Sequence, residues 1–350
     1  MDRPNYWKTS LNEVEEILKT IKKGKVKNVG KSAGGRDLFL VEYGEKQDFN
    51  RQANYSSACG AGDPKFYADK SGKRPVIFII GAEHGNEMEG IAAILNLIQM
   101  IETGKDFSGY SNPLLSECIK DCRLLLMPVA NPDGRARMPI DTMLGENEES
   151  FRHYAQGRWK DGTLCKWPGC KQVHPIKDYV SHLGSYFNDD GINIIHDNFF
   201  GDMAPETRAI FDIADEEAPD YTLHLHGGAN TINEIFHPEF ISLYVKELIQ
   251  ELILRVKTEA DKHKLPFLVK DIREDISYPS KSFSLYSALN HMCGTTSIVY
   301  ESNQGLDYSD YRPLDTSWEC VLSYEEIMTH HYILFEQTVK LALDKSGVSV

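Results

Sequence analysis

The sequence predicts an α/β fold in one domain, and three observations carry that reading. Short apolar strand candidates alternate with longer helical patterns along the chain. No repeat, low-complexity tract or Pro/Gly-rich linker divides the 350 residues, a length that can bury a substantial core. The residues most able to do chemistry fall at the ends of strands. In open α/β sheets, ligands bind outside the carboxyl ends of the strands.

The elements follow in order. Ser10-x-x-Glu13 reads as a capping box that opens a first helix, with Leu11, Val14, Leu18 and Ile21 along one face and an end in Lys22-Lys23-Gly24. Strands are expected at Val26–Val29 and Leu38–Tyr43, separated by the turn-prone SAGGRD. Pro75–Ile80 is continuously apolar, as an internal strand covered on both faces would be. A helix follows at Gly90–Ile101 and a second buried strand at Arg123–Val129. Thr222–Leu225 and Thr296–Tyr300 complete the core strands, and Glu239–His263 and Tyr324–Lys345 carry long helical periodicity. Residues 135–190 hold Gly, Pro, Trp and Cys without sustained period, which suits an active-site loop or lid as well as a tolerated surface excursion.

Composition narrows the functional classes. A net charge of −14, from 38 basic and 52 acidic residues, argues against a nucleic-acid partner and an anionic membrane surface. The N-terminus lacks the apolar stretch of a secretory signal, and the longest apolar runs are too short to span a bilayer. Seven cysteines in an irregular, odd set favour reduced thiols and a cytoplasmic location. Cys165 and Cys170 lack a second ligand pair for a metal, and free or structural thiols are expected there. No nucleophile elbow, Walker loop, dinucleotide fingerprint or complete EF-hand loop is found.

The chemistry concentrates in four segments: GAEHGNEMEG, PVANPDG, YTLHLHGG and SIVYES. A catalytic zinc usually takes three protein ligands and keeps one position open. His84-x-x-Glu87 can supply two of them from one turn after a strand, and His224 the third, with Glu301 left as a free carboxylate to handle protons. Each has a plainer alternative. His84 and Glu87 could be a solvated pair at a helix start, and Glu301 any strand-end carboxylate. His226 competes with His224, and strand alternation puts both on one face.

With these segments in order from GKSAGGRDL (Gly30–Leu38) to Gly294–Ser302, the chain resembles the zinc carboxypeptidases. The resemblance implies one domain over residues 1–350, a mixed sheet of about eight strands with helices on both faces, and one Zn2+ per chain. It implies His84, Glu87 and His224 as ligands, the first histidine of LHLHG being the ligand in related sequences. It implies Glu301 as the catalytic glutamate and, more loosely, Tyr278 as a mobile active-site tyrosine. Zinc lowers the pKa of a bound water from about 15.7 to about 7, and Glu301 would take that water's proton and later deliver it to the leaving amine.

The departures concern the substrate. The Asn-Arg pair that grips a C-terminal carboxylate in the family is replaced by Ile195 and His196, and Asn86 stands where an arginine often occurs. Asn131, Asn193, His196 and Arg135 are the candidates for substrate contact, and none reproduces that pair. Arg158, in the Gly157–Lys160 stretch, best matches the oxyanion-stabilising arginine, with Arg135 and Arg137 as substitutes by proximity. The expected activity is hydrolysis of a peptide or amino-acid amide bond. The alternatives are a deacylase of N-acyl amino acids, or a peptide-binding relative without turnover. The expected partner is a peptide or amino-acid conjugate.

Overall fold

The computed structural model describes residues 3–272, 282–307 and 320–346. Ser10 caps helix α1 (Leu11–Leu18) and Glu13 completes the capping box from within. The helix ends before Lys22-Lys23-Gly24 because the amides of those residues turn to the Glu102 carboxylate, at 3.0 Å from Lys22 and 3.1 Å from Lys23. Strands β1 (Lys25–Lys31) and β2 (Asp37–Tyr43) form a hairpin, followed by the short helix α2 (Tyr55–Gly60). Strand β3 (Val76–Gly81) leads into helix α3 (Met88–Thr103); α4 (Pro113–Glu117) precedes strand β4 (Arg123–Met127). The NPDG sequence forms the start of α5 (Pro132–Arg137), with Asn131 as its cap.

Residues 135–190 are more ordered than their composition suggests. They hold α6 (Glu148–Phe151), a π-turn over Arg152–Gln156, and a two-stranded sheet of β5 (Gly157–Trp159) and β6 (Val180–Leu183). The chain continues through α7 (Pro205–Glu217), β7 (Tyr221–Gly227), β8 (Glu234–Phe236), α8 (Leu243–Lys262), α9 (Leu285–Cys293), β9 (Thr296–Ser302) and α10 (Tyr324–Ser346).

The main sheet has the order β1-β2-β4-β3-β7-β9-β8. Its centre is parallel, from β4 through β3 and β7 to β9, while β1, β2 and β8 pair antiparallel. Among the described residues it has seven strands rather than about eight. The segment between α5 and α7 spends its strands on the separate small sheet.

Alternation along β3 explains the layers. Ile77 and Ile79 pack with α3, α8 and α10, while Val76, Phe78 and Ile80 pack with α7 and α9 on the other face. Both faces of the parallel centre are covered, so its strands are apolar throughout. Arg123, at the start of β4, is buried with Glu217 of α7 in a two-bonded ion pair at 2.7 and 2.8 Å.

Candidate metal centre

The carboxyl ends of β3 and β7 lie side by side, with Gly81 opposite Leu225. Past Gly81 the chain makes a tight strap, Ala82 to Glu87, before α3 begins. Gly85 lets this strap press against α5: a Cβ there would stand 2.1 Å from the Gly134 carbonyl carbon. The Gly85 amide also donates to the Ser185 carbonyl, and Asn131 donates its side-chain amide to the Glu83 and Ser185 carbonyls. NPDG therefore buttresses the strap that carries His84 and Glu87.

His84, Glu87 and His226 come together, with a donor atom of each within 4.8 Å of the others. The Nδ1 of His84 lies 2.7 Å from one Glu87 oxygen and the Nδ1 of His226 lies 3.0 Å from the other. Burial pushes the Glu87 carboxyl up, but the two histidines outweigh it and hold the group below its usual range. The far nitrogens are also engaged. His84 Nε2 lies 3.2 Å from Asn193 Oδ1, an oxygen that also accepts from the Ile195 amide, so the ring must donate there. His226 Nε2 donates to Glu83 at 2.6 Å. With each Nε2 engaged by an acceptor, both Nδ1 atoms are left turned to the Glu87 carboxylate, the side from which a metal would be bound once it displaces any proton held there. Two imidazole nitrogens, each ring backed by an oxygen acceptor at its far nitrogen, and one carboxylate fit a zinc ion.

His224, expected as the third ligand, is placed elsewhere. It is fully buried inside the sheet opposite Ile80, one register step before the strand edge. Its Nδ1 donates to Glu83 at 2.7 Å, and its Nε2 then accepts from the Ser297 hydroxyl at 3.0 Å. Both nitrogens are engaged, and His224 lies outside the cluster of possible metal ligands. His226, two residues further along the same face and so about 7 Å nearer the edge, joins the cluster instead.

A cavity of about 510 Å³ opens over this cluster, lined by His84, Glu87, His226 and Glu301 and walled by residues from the 135–190 segment. Glu301, half-buried near the end of β9, is pushed up to about 7 by burial and by the Glu87 charge, against the opposing pull of His226. His196 lines the cavity and is held neutral, its pKa lowered to about 3 by burial and by the Lys171 charge. Tyr186 stacks on the His84 ring with centroids 4.1 Å apart.

Other candidates sit outside the cavity lining. Arg158 pairs with Glu149 and reaches His153 and the Gly162 carbonyl. Arg135 is buried against the Thr9 carbonyl and Asp141, and Arg137 is held by Asp189 and the Gly184 carbonyl. Asn131 and Asn193 act as backing groups: the first caps α5, the second supports His84 and the Ile194–His196 turn. Tyr278 lies outside the described residues. Among the described residues the arginine that lines the cavity is Arg152, held by Glu148 at 2.6 Å four residues earlier, a spacing visible in the sequence. Lys171 and Tyr286 also reach the cavity. All seven cysteines are free thiols, Cys165 and Cys170 included. No helix among the described residues is long and apolar enough to cross a membrane.

Comparison with known proteins agrees with this architecture. A family model described as zinc carboxypeptidase matches residues 15–339. Carboxypeptidase D of Anas platyrhynchos is 30% identical over 107 residues, covering 31% of this chain and 6% of that protein. The carboxypeptidase N catalytic chain of Homo sapiens is 22% identical over 219 residues, covering 62% of this chain and 40% of that protein. The chain thus spans only a minor part of the curated relatives it matches. Among solved structures, a metallo-carboxypeptidase from Burkholderia cenocepacia superposes with a TM-score of 0.60 at 13% identity, over 96% of this chain and 70% of that one. Carboxypeptidase A from Helicoverpa armigera gives 0.54 at 16% identity, over 98% and 75%. The shared fold and a family match running from the first helix into the last show that the chain belongs to the zinc carboxypeptidase family.

Proposed function

We propose that this chain is a zinc-dependent hydrolase of the metallocarboxypeptidase type that cleaves a peptide or amino-acid amide bond. The observation that carries the reading is the convergence of two histidine Nδ1 atoms on the Glu87 carboxylate, each ring backed by an acceptor at its far nitrogen. His84, Glu87 and His226 would hold one zinc, and Tyr186 fixes the plane of the His84 ring. Zinc bound there supplies Lewis acidity and a water acidic enough to ionise near neutral pH.

The chain's own groups do the rest. Glu301 lines the same cavity with a carboxyl poised near 7, suited to accept a proton from water and pass it to the leaving amine. Arg152, which replaces Arg158 as the candidate for opposing charge on the carbonyl oxygen, is oriented by Glu148. The test pairs metal content by mass spectrometry with turnover of N-acylated dipeptides. About one zinc per chain, lost in both His84→Ala and His226→Ala, is expected. Glu301→Gln should keep the zinc and lose turnover. A wild-type chain that takes up no zinc, or an active Glu301→Gln variant, would overturn the proposal.

A further inference from the structure

The cavity is electrically two-sided. Its floor is acidic, with Glu87 and Glu301, while its charged wall residues on the 135–190 side are Arg152 and Lys171. Most of these charges are already answered. Arg152 is paired with Glu148, and Glu234 at the rim is paired with Lys270 at 2.6 Å. Lys171 is not: among the described residues no carboxylate lies within ion-pair distance of it. Its ammonium instead sits 3.5 Å from the centre of the Trp167 ring at the cavity mouth.

That seat orients the cation. A lysine held over an aromatic face keeps its remaining N–H donors turned away from the ring. The same Trp167 ring faces Tyr186 at 6.0 Å and His196 at 6.2 Å, and Tyr186 stacks directly on His84. An aromatic surface therefore runs from the metal cluster to the unanswered cation. A ligand laid along it would meet the metal at one end and a positive charge at the other.

We propose that Lys171 is the specificity-determining residue for a carboxylate carried by the substrate, with Trp167 as the surface between that carboxylate and the scissile bond. This deepens the hydrolase reading above and rests on it for the position of the scissile bond. The carboxylate can come from a free chain end or from an acidic side chain. In either case the Lys171 ammonium attracts it from the far end of the Trp167 ring.

The test is calorimetric titration of the zinc-loaded Glu301→Gln chain with three N-acetylated dipeptides. One has neutral side chains and a free C-terminal carboxylate, one is its C-terminal amide, and one is an amide ending in glutamate. At least one carboxylate-bearing peptide should bind about 10-fold more tightly than the uncharged amide, or about 1.4 kcal/mol. Lys171→Met should erase that preference and Lys171→Arg should keep most of it. Which peptide wins identifies the chain end or the side chain as the source. Equal binding of all three, a comparison that needs no change at Lys171, would sink the proposal, as would a preference that survives Lys171→Met. A chain with the preference that hydrolyses none of these peptides when Glu301 is present would overturn the hydrolase reading alone. Hydrolysis without the preference would overturn only the role of Lys171.

Discussion

The Glu83 carboxylate joins His224 and His226: one oxygen accepts from His224 Nδ1 at 2.7 Å and the other from His226 Nε2 at 2.6 Å. Burial pushes this carboxyl up, yet its interactions with the two imidazole rings bring it well below its usual range. It therefore stays ionised and holds His226 in one orientation. Glu83→Gln should weaken zinc binding about 10- to 100-fold, the usual effect of losing a ligand's backing acceptor. Competition against a chromogenic chelator measures this, and an unchanged affinity would remove Glu83 from the site.

Replacing the two histidines should separate metal binding from packing. His224→Ala leaves a buried Glu83 with one partner fewer and the Ser297 hydroxyl without its acceptor, at a cost of roughly 1–3 kcal/mol. The variant should unfold at lower denaturant but still bind zinc. Loss of zinc from a folded His224→Ala chain would restore His224 as the ligand.

Zinc uptake should release a proton. Burial disfavours a charged His226, but the Glu87 and Glu83 carboxylates raise its pKa well above the usual value, so without metal the ring is protonated at neutral pH. A ligand must lose that proton. The apparent zinc affinity should rise by about tenfold per pH unit across neutrality, and calorimetry in buffers of different ionisation enthalpy should show about one proton released. No buffer dependence would contradict this assignment.

Glu301 gives a second pH signature. In the folded, metal-free chain burial and the Glu87 charge raise its pKa to about 7, well above the usual carboxylate range. A raised carboxyl contributes stability below the unfolded value, and that contribution is lost as pH rises through the folded value. Metal-free Glu301→Gln should therefore melt higher than wild type at pH 8, with a much smaller difference at pH 5. Equal differences at both pH values would contradict a raised Glu301.

Gly85→Ala tests the strap. The added Cβ would meet the backbone of Gly134 and Arg135 at 2.1 and 2.2 Å, contacts with no flexible side chain to give way. The expected result is loss of zinc affinity together with a lower melting temperature, since relieving the clash displaces His84. A fully stable, zinc-binding variant would show that α5 does not fix the strap.

Much of the frame was legible in the sequence because it rests on local signals. The Ser10 capping box and the apolar runs of β3 and β4 stand where periodicity placed them. Helix α7 was passed over although Pro205 marks its first turn. His84 and Glu87 were legible as a pair because a tight strap after a buried strand can present both. The choice between His224 and His226 was not: alternation makes them equivalent, and only the register against β3 shows which one reaches the edge. The same limit hid Arg152. Its place in the cavity depends on the π-turn and on the fold of residues 135–190, whereas spacing after NPDG pointed to Arg158, on the small sheet.

The pairing of β3 with β7 has a consequence for fidelity. Leu223 and Leu225 face α3 and the core, while His224 and His226 face the other way. Side chains along a strand alternate with a period of two, so a slip of one residue would exchange the two sets. Both histidines would enter the apolar layer beneath α3, and two leucines would meet Glu83. The leucine packing beneath α3 therefore guards the histidine face against a one-residue slip.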